Sequence, residues 1–195
     1  WDCAEYISTS AKLQIGHPPG APLFQMLGAI FSIFAFENDQ IAFSINMMSV
    51  TSSALTILFL FWSISHLLKG FVSVNQNLSI SQALKIFGSS SLGSLTFIFT
   101  DSFWFNAVEA EVYAMASLIM SLLFWLGLKW VDNIDHERGD KWLILICFVV
   151  GLSFGVHFMG LLTIPAIGLL YYFKKYSFSI RSFLIANVIS ISVLL

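Results

Sequence analysis

The sequence predicts an all-α protein whose helices span a membrane. Of its 195 residues, 57% are hydrophobic and only 10% are charged, and the mean hydropathy is +0.84. A soluble domain has roughly 45–50% apolar and about 25% charged residues. The apolar residues also collect into stretches of about the length of a membrane span. This composition excludes a disordered tail, a basic nucleic-acid-binding domain and a cytosolic enzyme of the Rossmann type.

Apolar stretches define the predicted elements along the chain. A helix needs about 20 apolar residues to cross a hydrocarbon core of roughly 30 Å. Residues 23–36 are too short for this, so we expect an interfacial or re-entrant helix there. The stretch 142–173 is long enough for two short spans with a polar break near His157. The stretches of span length, or nearly so, are 41–68, 84–100, 108–130, 142–173 and 182–195.

The basic residues decide the predicted orientation. With residues 70–83 in the cytoplasm, eight of the nine Lys and Arg residues lie inside or at the inner boundary, and Lys12 lies outside. Cytoplasmic loops carry an excess of Lys and Arg, which favours this orientation. We expect residues 1–40 to form an external loop and 41–195 one transmembrane domain of about five spans plus a truncated one. Because the chain begins at Trp1 and ends in an apolar run, we expect it to be incomplete at both ends.

Most acids are predicted to lie on the face opposite the bases. Ionisable groups at a membrane boundary are costly and are commonly functional. For Glu37 and Asp39 a solvated loop tip is the simpler interpretation. The seven acids and two histidines predicted to be external are Asp2, Glu5, Glu37, Asp39, Asp101, Glu109, Glu111, His17 and His157.

Asp2 and Glu5 form the first candidate pair. They are three residues apart, so on a helix they share one face. Two neighbouring carboxylates can divide acid and base chemistry, because the charge or burial of one raises the pKa of the other. The alternative is that the two acids lie near the N-terminus of a helix, where the helix dipole favours negative charge.

His17 lies in a predicted rigid elbow, the sequence Gly16–Gly20 followed by Pro22. The prolines exclude a continued helix, and the flanking glycines allow positive φ angles. The elbow would hold His17 at a defined position. The alternative is a plain connector in front of the apolar helix.

A third group of candidates lies in residues 101–113. Asn106, Glu109 and Tyr113 are spaced by three and four residues, so on a continuous helix they share one face. Glu111 would then lie on the opposite side. The alternative is that Asn106 and Glu109 merely cap the helix.

His157 stands alone in a long apolar run and is the fourth candidate. Gly151, Gly155 and Gly160 around it permit close helix packing. At an external boundary, His157 can bind a phosphate or take a proton. An equally good interpretation is a packed, hydrogen-bonded histidine.

The sequence contains no nucleotide or metal motif. Walker A, GxGxxG, HExxH and CxxC patterns are all missing, and Cys3 and Cys147 have no zinc or disulfide spacing. We therefore predict no metal ligands and no nucleic-acid partner.

Five motifs, in order, resemble the N-terminal membrane region of the transmembrane-protein-260-like family. This is a family of protein O-mannosyltransferase-type proteins in the GT-C glycosyltransferase superfamily. The resemblance covers nearly the whole chain, and Ala4 stands where the family usually has Gly. On this basis the chain is identified as an N-terminal fragment of a bacterial-type member that lacks the first transmembrane helix and the C-terminal region. The motifs are WDCAEY, GHPPGAPLF, INMMS, FWFNAVEAEVYAM and GVHFMGLLTIPA.

The resemblance implies a GT-C-like helical bundle with its active site on the non-cytoplasmic face. It implies transfer of mannose or a similar hexose, with inversion, from a polyprenyl- or dolichyl-phosphate donor to a hydroxyl of a protein or glycan. Asp2 in the first external loop would be the catalytic base, and Glu5 would orient it or the acceptor. The residues expected to hold the lipid phosphate or the sugar hydroxyls are His17, Asn106, Glu109, Tyr113 and His157.

The same resemblance bears on cofactors, location and partners. No cofactor is expected, and dependence on a divalent ion stays open because GT-C enzymes differ in this respect. We expect a multi-pass protein of the bacterial inner membrane, or of the endoplasmic reticulum in a eukaryote. Its partners would be the lipid-linked donor, the acceptor and membrane lipids.

Two other functions fit a polytopic chain of this kind. One is a transporter or flippase of lipid-linked sugars, which usually has inverted repeats and polar breaks at the midplane of the bilayer. The other is a catalytically inactive structural subunit. Convergence of Asp2, Glu5, Glu109 and His157 in one pocket would favour the transferase.

Overall fold

The computed structural model describes residues 2–72 and 78–192, and these ranges are helical without strands. Parts of two predicted segments, residues 73–77 of the cytoplasmic loop and 193–195 of the last stretch, lie outside the described residues. Two short 3-10 helices, Asn38–Gln40 and Phe158–Leu162, join longer elements. The α-helices are α1 Cys3–Lys12, α2 Pro22–Ser32, α3 Ile41–Phe71, α4 Ile80–Ile98, α5 Asp101–Ala107, α6 Val112–Asn133, α7 Asp140–Ser153, α8 Thr163–Lys175 and α9 Ile180–Ser192.

Helices α3 and α6 form the central pair of the fold. Among the described residues, these two helices are long and apolar enough to cross a membrane: Asn38–Phe71, which includes the preceding 3-10 helix, and Val112–Asn133. They run in the same direction, because α4 returns the chain between them and α5 is short. Their N-termini therefore lie at one end of the molecule and their C-termini at the other.

The packing of α3 rests on small side chains. Its buried face includes Ser49, Ser52, Ser53 and Thr56, whereas α6 buries larger residues such as Leu123. Small residues let helix backbones approach closely, which strengthens packing in a membrane. The Thr56 hydroxyl donates to the carbonyl of Ser52 at 2.9 Å, so this polar group is satisfied within the helix.

The apolar stretches of the sequence predicted most of the helices. The break near His157 is confirmed, because α7 ends at Ser153 and a 3-10 helix starts at Phe158. Helices α7 and α8 have 14 and 13 residues. At 1.5 Å per residue each is about 20 Å long, short of a hydrocarbon core of roughly 30 Å. The total of about five spans stays a prediction.

The predicted continuous helix through residues 106–113 is wrong. Helix α5 ends at Ala107, and α6 begins at Val112 after an extended Glu111 with φ −122° and ψ 156°. The chain leaves the helical path here because Ala110 is fully buried, and the Glu111 amide closes a tight turn onto Glu109 at 2.8 Å. Asn106, Glu109 and Tyr113 therefore do not share one helical face.

The first 40 residues fold back onto the N-terminal end of the central pair. Tyr6 of α1 and Phe24 of α2 are buried together, with ring centroids 5.1 Å apart, and both belong to the core that contains Ile45 of α3. Backbone amides of Leu23 and Phe24 donate to the carbonyl of Gly155 at 2.8 and 3.3 Å. The N-terminal segment is thus tied to the turn that carries His157.

Candidate functional site

Asp2, Glu5 and His17 meet at the N-terminal end of the central pair. Asp2 is the N-cap residue of α1, and Glu5 lies in the first turn of that helix. The backbone amide of His17 donates to Glu5 Oε1 at 2.7 Å, and the ring Nδ1 lies 3.1 Å from Glu5 Oε2. The other ring nitrogen, Nε2, lies 3.8 Å from Asp2 Oδ2. One imidazole thus stands between two carboxylates.

The local backbone explains how His17 reaches these acids. A Cβ added at Gly16 would lie 2.6 Å from the side-chain nitrogen of Gln25 and 3.3 Å from Glu5 Oε1, so a larger residue would displace the side chains of Gln25 and Glu5. Gly20 adopts a φ of +87°, which glycine tolerates without strain. The peptide bond between Pro18 and Pro19 is cis. The predicted elbow is confirmed as a tight turn that places His17 over α1.

The two carboxylates of the pair have different environments. Hydrogen bonds from the backbone and ring of His17 hold the pKa of Glu5 below its usual range. Glu5 is therefore anionic and engaged with His17. The side chain of Asp2 is half exposed, and within the described residues its contact is the longer one to His17. Both side chains are partly exposed, 50% for Asp2 and 41% for Glu5, so the two carboxylates differ in their hydrogen bonds rather than in accessibility.

Glu111 also belongs to this cluster, although the sequence did not predict it as a site residue. Its Oε1 accepts a hydrogen bond from the backbone amide of Asp2 at 3.4 Å. Glu111 is the N-cap residue of α6, in the non-helical segment before Val112. On the continuous helix that the sequence predicts, Glu111 lies opposite the face of Asn106, Glu109 and Tyr113. The signal in the sequence was Asn106, which favours a helix end because its side chain competes for backbone groups, here the carbonyl of Ser102.

Two protonated groups line the base of the cluster. The pKa of the Tyr6 hydroxyl is raised by burial and by the charges of Asp2, Glu5 and Glu111. The pKa of the Cys3 thiol is raised first by burial and also by the nearby charges of Glu109 and Glu111. Glu109 and Glu111 therefore both act electrostatically on Cys3.

Tyr113 and His157 form a second group beside the first. Their ring centroids are 5.5 Å apart. The amide of Met159 donates to His157 Nδ1 at 3.1 Å, which leaves the Nε2 position to carry the proton in the neutral ring. His157 is therefore hydrogen-bonded, as one of the two interpretations expected, and it retains one donor for a ligand.

Asn106 lies apart from the acids. Its amide nitrogen donates to the carbonyl of Ser102 at 2.7 Å. Together with Tyr113 and Met159 it lines a cavity of about 220 Å³. The structure therefore groups Asp2, Glu5, His17 and Glu111 directly, pairs Tyr113 with His157, and places Asn106 in a cavity with Tyr113.

A larger apolar cavity continues from this region toward the middle of the helices. It has a volume of about 650 Å³, lies between α3, α4, α6 and α8, and shares Phe97, Ser117 and Met159 with the Asn106 cavity. The hydroxyls of Ser53 and Ser63, one in each cavity, are buried without a hydrogen-bond partner among the described residues. The lining of this cavity is mainly apolar.

A site with several carboxylates is a candidate for binding a metal ion. In the part of the chain that the structure describes, no three His, Cys, Asp or Glu side chains are arranged to hold a metal ion. Dependence on a divalent ion stays open.

Comparisons with known proteins complete the description of the site. Residues 2–180 match the protein O-mannosyl-transferase TMEM260 N-terminal domain. The chain is 26% identical over 141 residues to the protein O-mannosyl-transferase tmem260 of Dictyostelium discoideum, covering 70% of this chain and 15% of that protein. It is 24% identical over 155 residues to the protein O-mannosyl-transferase TMEM260 of Mus musculus, covering 78% and 19%.

These matches define the family but not the source. The chain spans less than a fifth of the length of these two relatives. No solved structure matches the chain. The assignment to a bacterial-type member stays a prediction. The family match extends over most of the chain and includes every candidate site residue, so the chain belongs to the family of the protein O-mannosyl-transferase TMEM260 N-terminal domain.

Proposed function

We propose that this chain forms the catalytic end of a multi-pass membrane glycosyltransferase. The enzyme moves mannose or a similar hexose from a polyprenyl- or dolichyl-phosphate donor to a hydroxyl of a protein or glycan, on the non-cytoplasmic face. The observation that carries the proposal is the Asp2–His17–Glu5 cluster, in which His17 makes two hydrogen bonds to Glu5 and a longer contact, at 3.8 Å, to Asp2. The names of the family relatives support sugar transfer.

Asp2 acts as the general base in this proposal. As the acceptor oxygen attacks the anomeric carbon, Asp2 takes the hydroxyl proton. The bond from that carbon to the phosphate oxygen breaks, and the lipid phosphate leaves with the electron pair, so the configuration of the sugar inverts. The Glu5 carboxylate holds His17, whose ring lies beside Asp2 and fixes its position.

Hydrogen-bond donors are required where the phosphate leaves. A lipid phosphate carries negative charge, so donors stabilise its departure better than an acid does. The candidate donors are the hydroxyl of Tyr113, which lines the smaller cavity, and the Nε2–H of His157, whose ring centroid lies 5.5 Å from that of Tyr113. Asn106 lines the same small cavity as Tyr113 and would bind a sugar hydroxyl.

The apolar cavity supports a lipid-linked donor. Its lining is almost entirely hydrocarbon, and it adjoins the cavity that contains Tyr113 and Asn106. A polyprenyl chain in this cavity would bring its phosphate toward His157. Glu109, close to the Cys3 thiol at the edge of the acidic cluster, would bind sugar hydroxyls of the donor or acceptor.

The test measures sugar transfer in membranes that contain the protein at its native length. Labelled polyprenyl-phosphate mannose is the donor, and transfer to protein or glycan is scored. We expect Asp2→Asn to abolish transfer and Asp39→Asn, a matched change at an exposed external acid, to leave it unchanged. Retained transfer in Asp2→Asn overturns the assignment of the base. Movement of the labelled lipid across the membrane without transfer would identify a flippase instead.

A further inference from the structure

A basic cavity lies at the end of the molecule opposite the Asp2 cluster. It has a volume of about 400 Å³ and opens between α3, α4 and α6. Glu111 and Lys129, at the two ends of α6, are separated by about 18 residues, which span about 27 Å along a helix and so approach the roughly 30 Å of a hydrocarbon core. Its lining includes Trp62, Ser65, His66, Lys69, Phe87 and Lys129.

The two lysines of this cavity are positioned by aromatic rings. Lys69 Nζ lies 5.5 Å from the ring centroid of Phe87, and Lys129 Nζ lies 5.6 Å from that of Trp125. Neither lysine has a carboxylate partner within the described residues. The nearby acid, Asp132, is engaged by His66 instead, with Nε2 and Oδ2 3.3 Å apart. The cavity therefore keeps two positive charges for a ligand.

A buried hydroxyl also lines the cavity. Ser65 is 5% exposed, and its Oγ has no hydrogen-bond partner within residues 2–72 and 78–192. Native structures rarely leave such a group unpaired. Ser65 precedes His66 and lies one turn before Lys69 on α3, and Lys129 of α6 lines the same cavity, so these groups suit a polar, negatively charged ligand.

We propose that this cavity binds the phosphate headgroup of an anionic phospholipid in the inner leaflet. Lys69 and Lys129 would neutralise the phosphate, and the Ser65 hydroxyl would donate to one of its oxygens. Trp62 and Phe87 are each 40% exposed at the cavity, where they would contact the acyl chains below the headgroup. Basic pockets between membrane helices on the cytoplasmic side suit anionic headgroups. The proposal does not depend on sugar transfer.

The experiment uses the purified protein at its native length in nanodiscs of phosphatidylcholine, with and without phosphatidylglycerol. Bound lipid is counted by native mass spectrometry. We expect Lys69→Gln with Lys129→Gln to weaken phosphatidylglycerol binding about thirtyfold, and each single change about fivefold. Replacing both lysines by arginine, which keeps the charges, should retain binding.

The matched control removes the same charge outside the cavity. Lys141→Gln with Lys174→Gln changes two lysines of the same predicted face, and Lys141 also lies over a tryptophan ring, at 5.2 Å. This control should bind phosphatidylglycerol as the unmodified protein does. An equal loss in control and cavity variants, or no loss in either, overturns the proposal.

Two further measurements separate the remaining outcomes. If inorganic phosphate displaces phosphatidylglycerol at comparable concentration, the cavity binds free phosphate and the lipid assignment is overturned. Thermal unfolding of each variant checks the fold, and the single variants carry the test if the double variant unfolds. Asp2→Asn should leave lipid binding unchanged, so a failure of the proposed transferase function is distinguishable.

Discussion

At the N-terminal ends of α3 and α6 the ionisable groups come from separate segments, whereas at the C-terminal ends they belong to the two helices themselves. The acidic cluster needs α1, the elbow and the turn before α6 to meet. The basic cavity is built from residues one and two turns apart on α3, residues one turn apart on α6 and Phe87 of α4. The acidic end therefore depends on loop conformation, and the basic end on helix packing.

Removing the Asp2 carboxylate should have the largest effect, a loss of the transfer rate that a change at the basic end does not cause. General base catalysis contributes about 10²–10⁴-fold to rate, so Asp2→Asn should lower transfer by that factor. Lys129→Gln at the other end should change the transfer rate less than about twofold, since that site is about 27 Å away along α6. Initial rates with labelled donor in membranes measure both. Equal losses would contradict the separation of the two ends.

The acidic end also depends on the packing of α1 against α2, and the buried Gly28 tests this contact. A Cβ at Gly28 of α2 would lie 2.6 Å from Ser10 Oγ and 2.8 Å from Ser10 Cβ on α1. We expect Gly28→Ala to destabilise the fold by about 1–3 kcal/mol, the usual cost of overpacking. Gly88→Ala on α4 meets nothing within 4 Å and should be neutral or stabilising. Thermal unfolding in detergent compares the two, and similar values would contradict the prediction.

The pH dependence of the acidic cluster gives a smaller effect. The folded pKa of Glu5 lies below its usual 4.5, because His17 donates two hydrogen bonds to the anion. The stabilisation is therefore fully present above pH 4.5 and is lost as the pH falls through the lowered folded value. Glu5→Gln should flatten this part of the profile. Thermal unfolding between pH 3 and 7 measures it, and an unchanged slope would exclude the linkage.

The exposed ion pair between Asp135 and Lys175 should contribute least to the stability of the fold. Each partner shifts the other's pKa in the direction of its charged form: lower for Asp135 and higher for Lys175. Exposed pairs contribute little to stability because water and salt screen them. Lys175→Gln should leave the unfolding temperature unchanged within error. A large decrease would mean that the basic end is held by charges rather than by packing.

The sequence predicted the helices better than the contacts between distant segments. Hydropathy located α3, α6 and the break at His157, because apolar length and polar interruption are local properties of a chain. The contact of Asp2 with Glu111 links residues 109 positions apart, and hydropathy contains no information about such a pairing. The turn at residues 108–111 was missed because Asn106 is a weak signal for a helix end and the residues that follow it are compatible with a helix.

The contact of Leu23 and Phe24 with the carbonyl of Gly155 couples two parts of the candidate site mechanically. The chain from the elbow enters α2 at this point, and the chain from Gly155 leads directly to His157. A shift of the His157 turn, for example when a lipid phosphate departs, would pull on the start of α2 and so on the elbow. Leaving-group departure and the placement of His17 beside Asp2 would then be one motion.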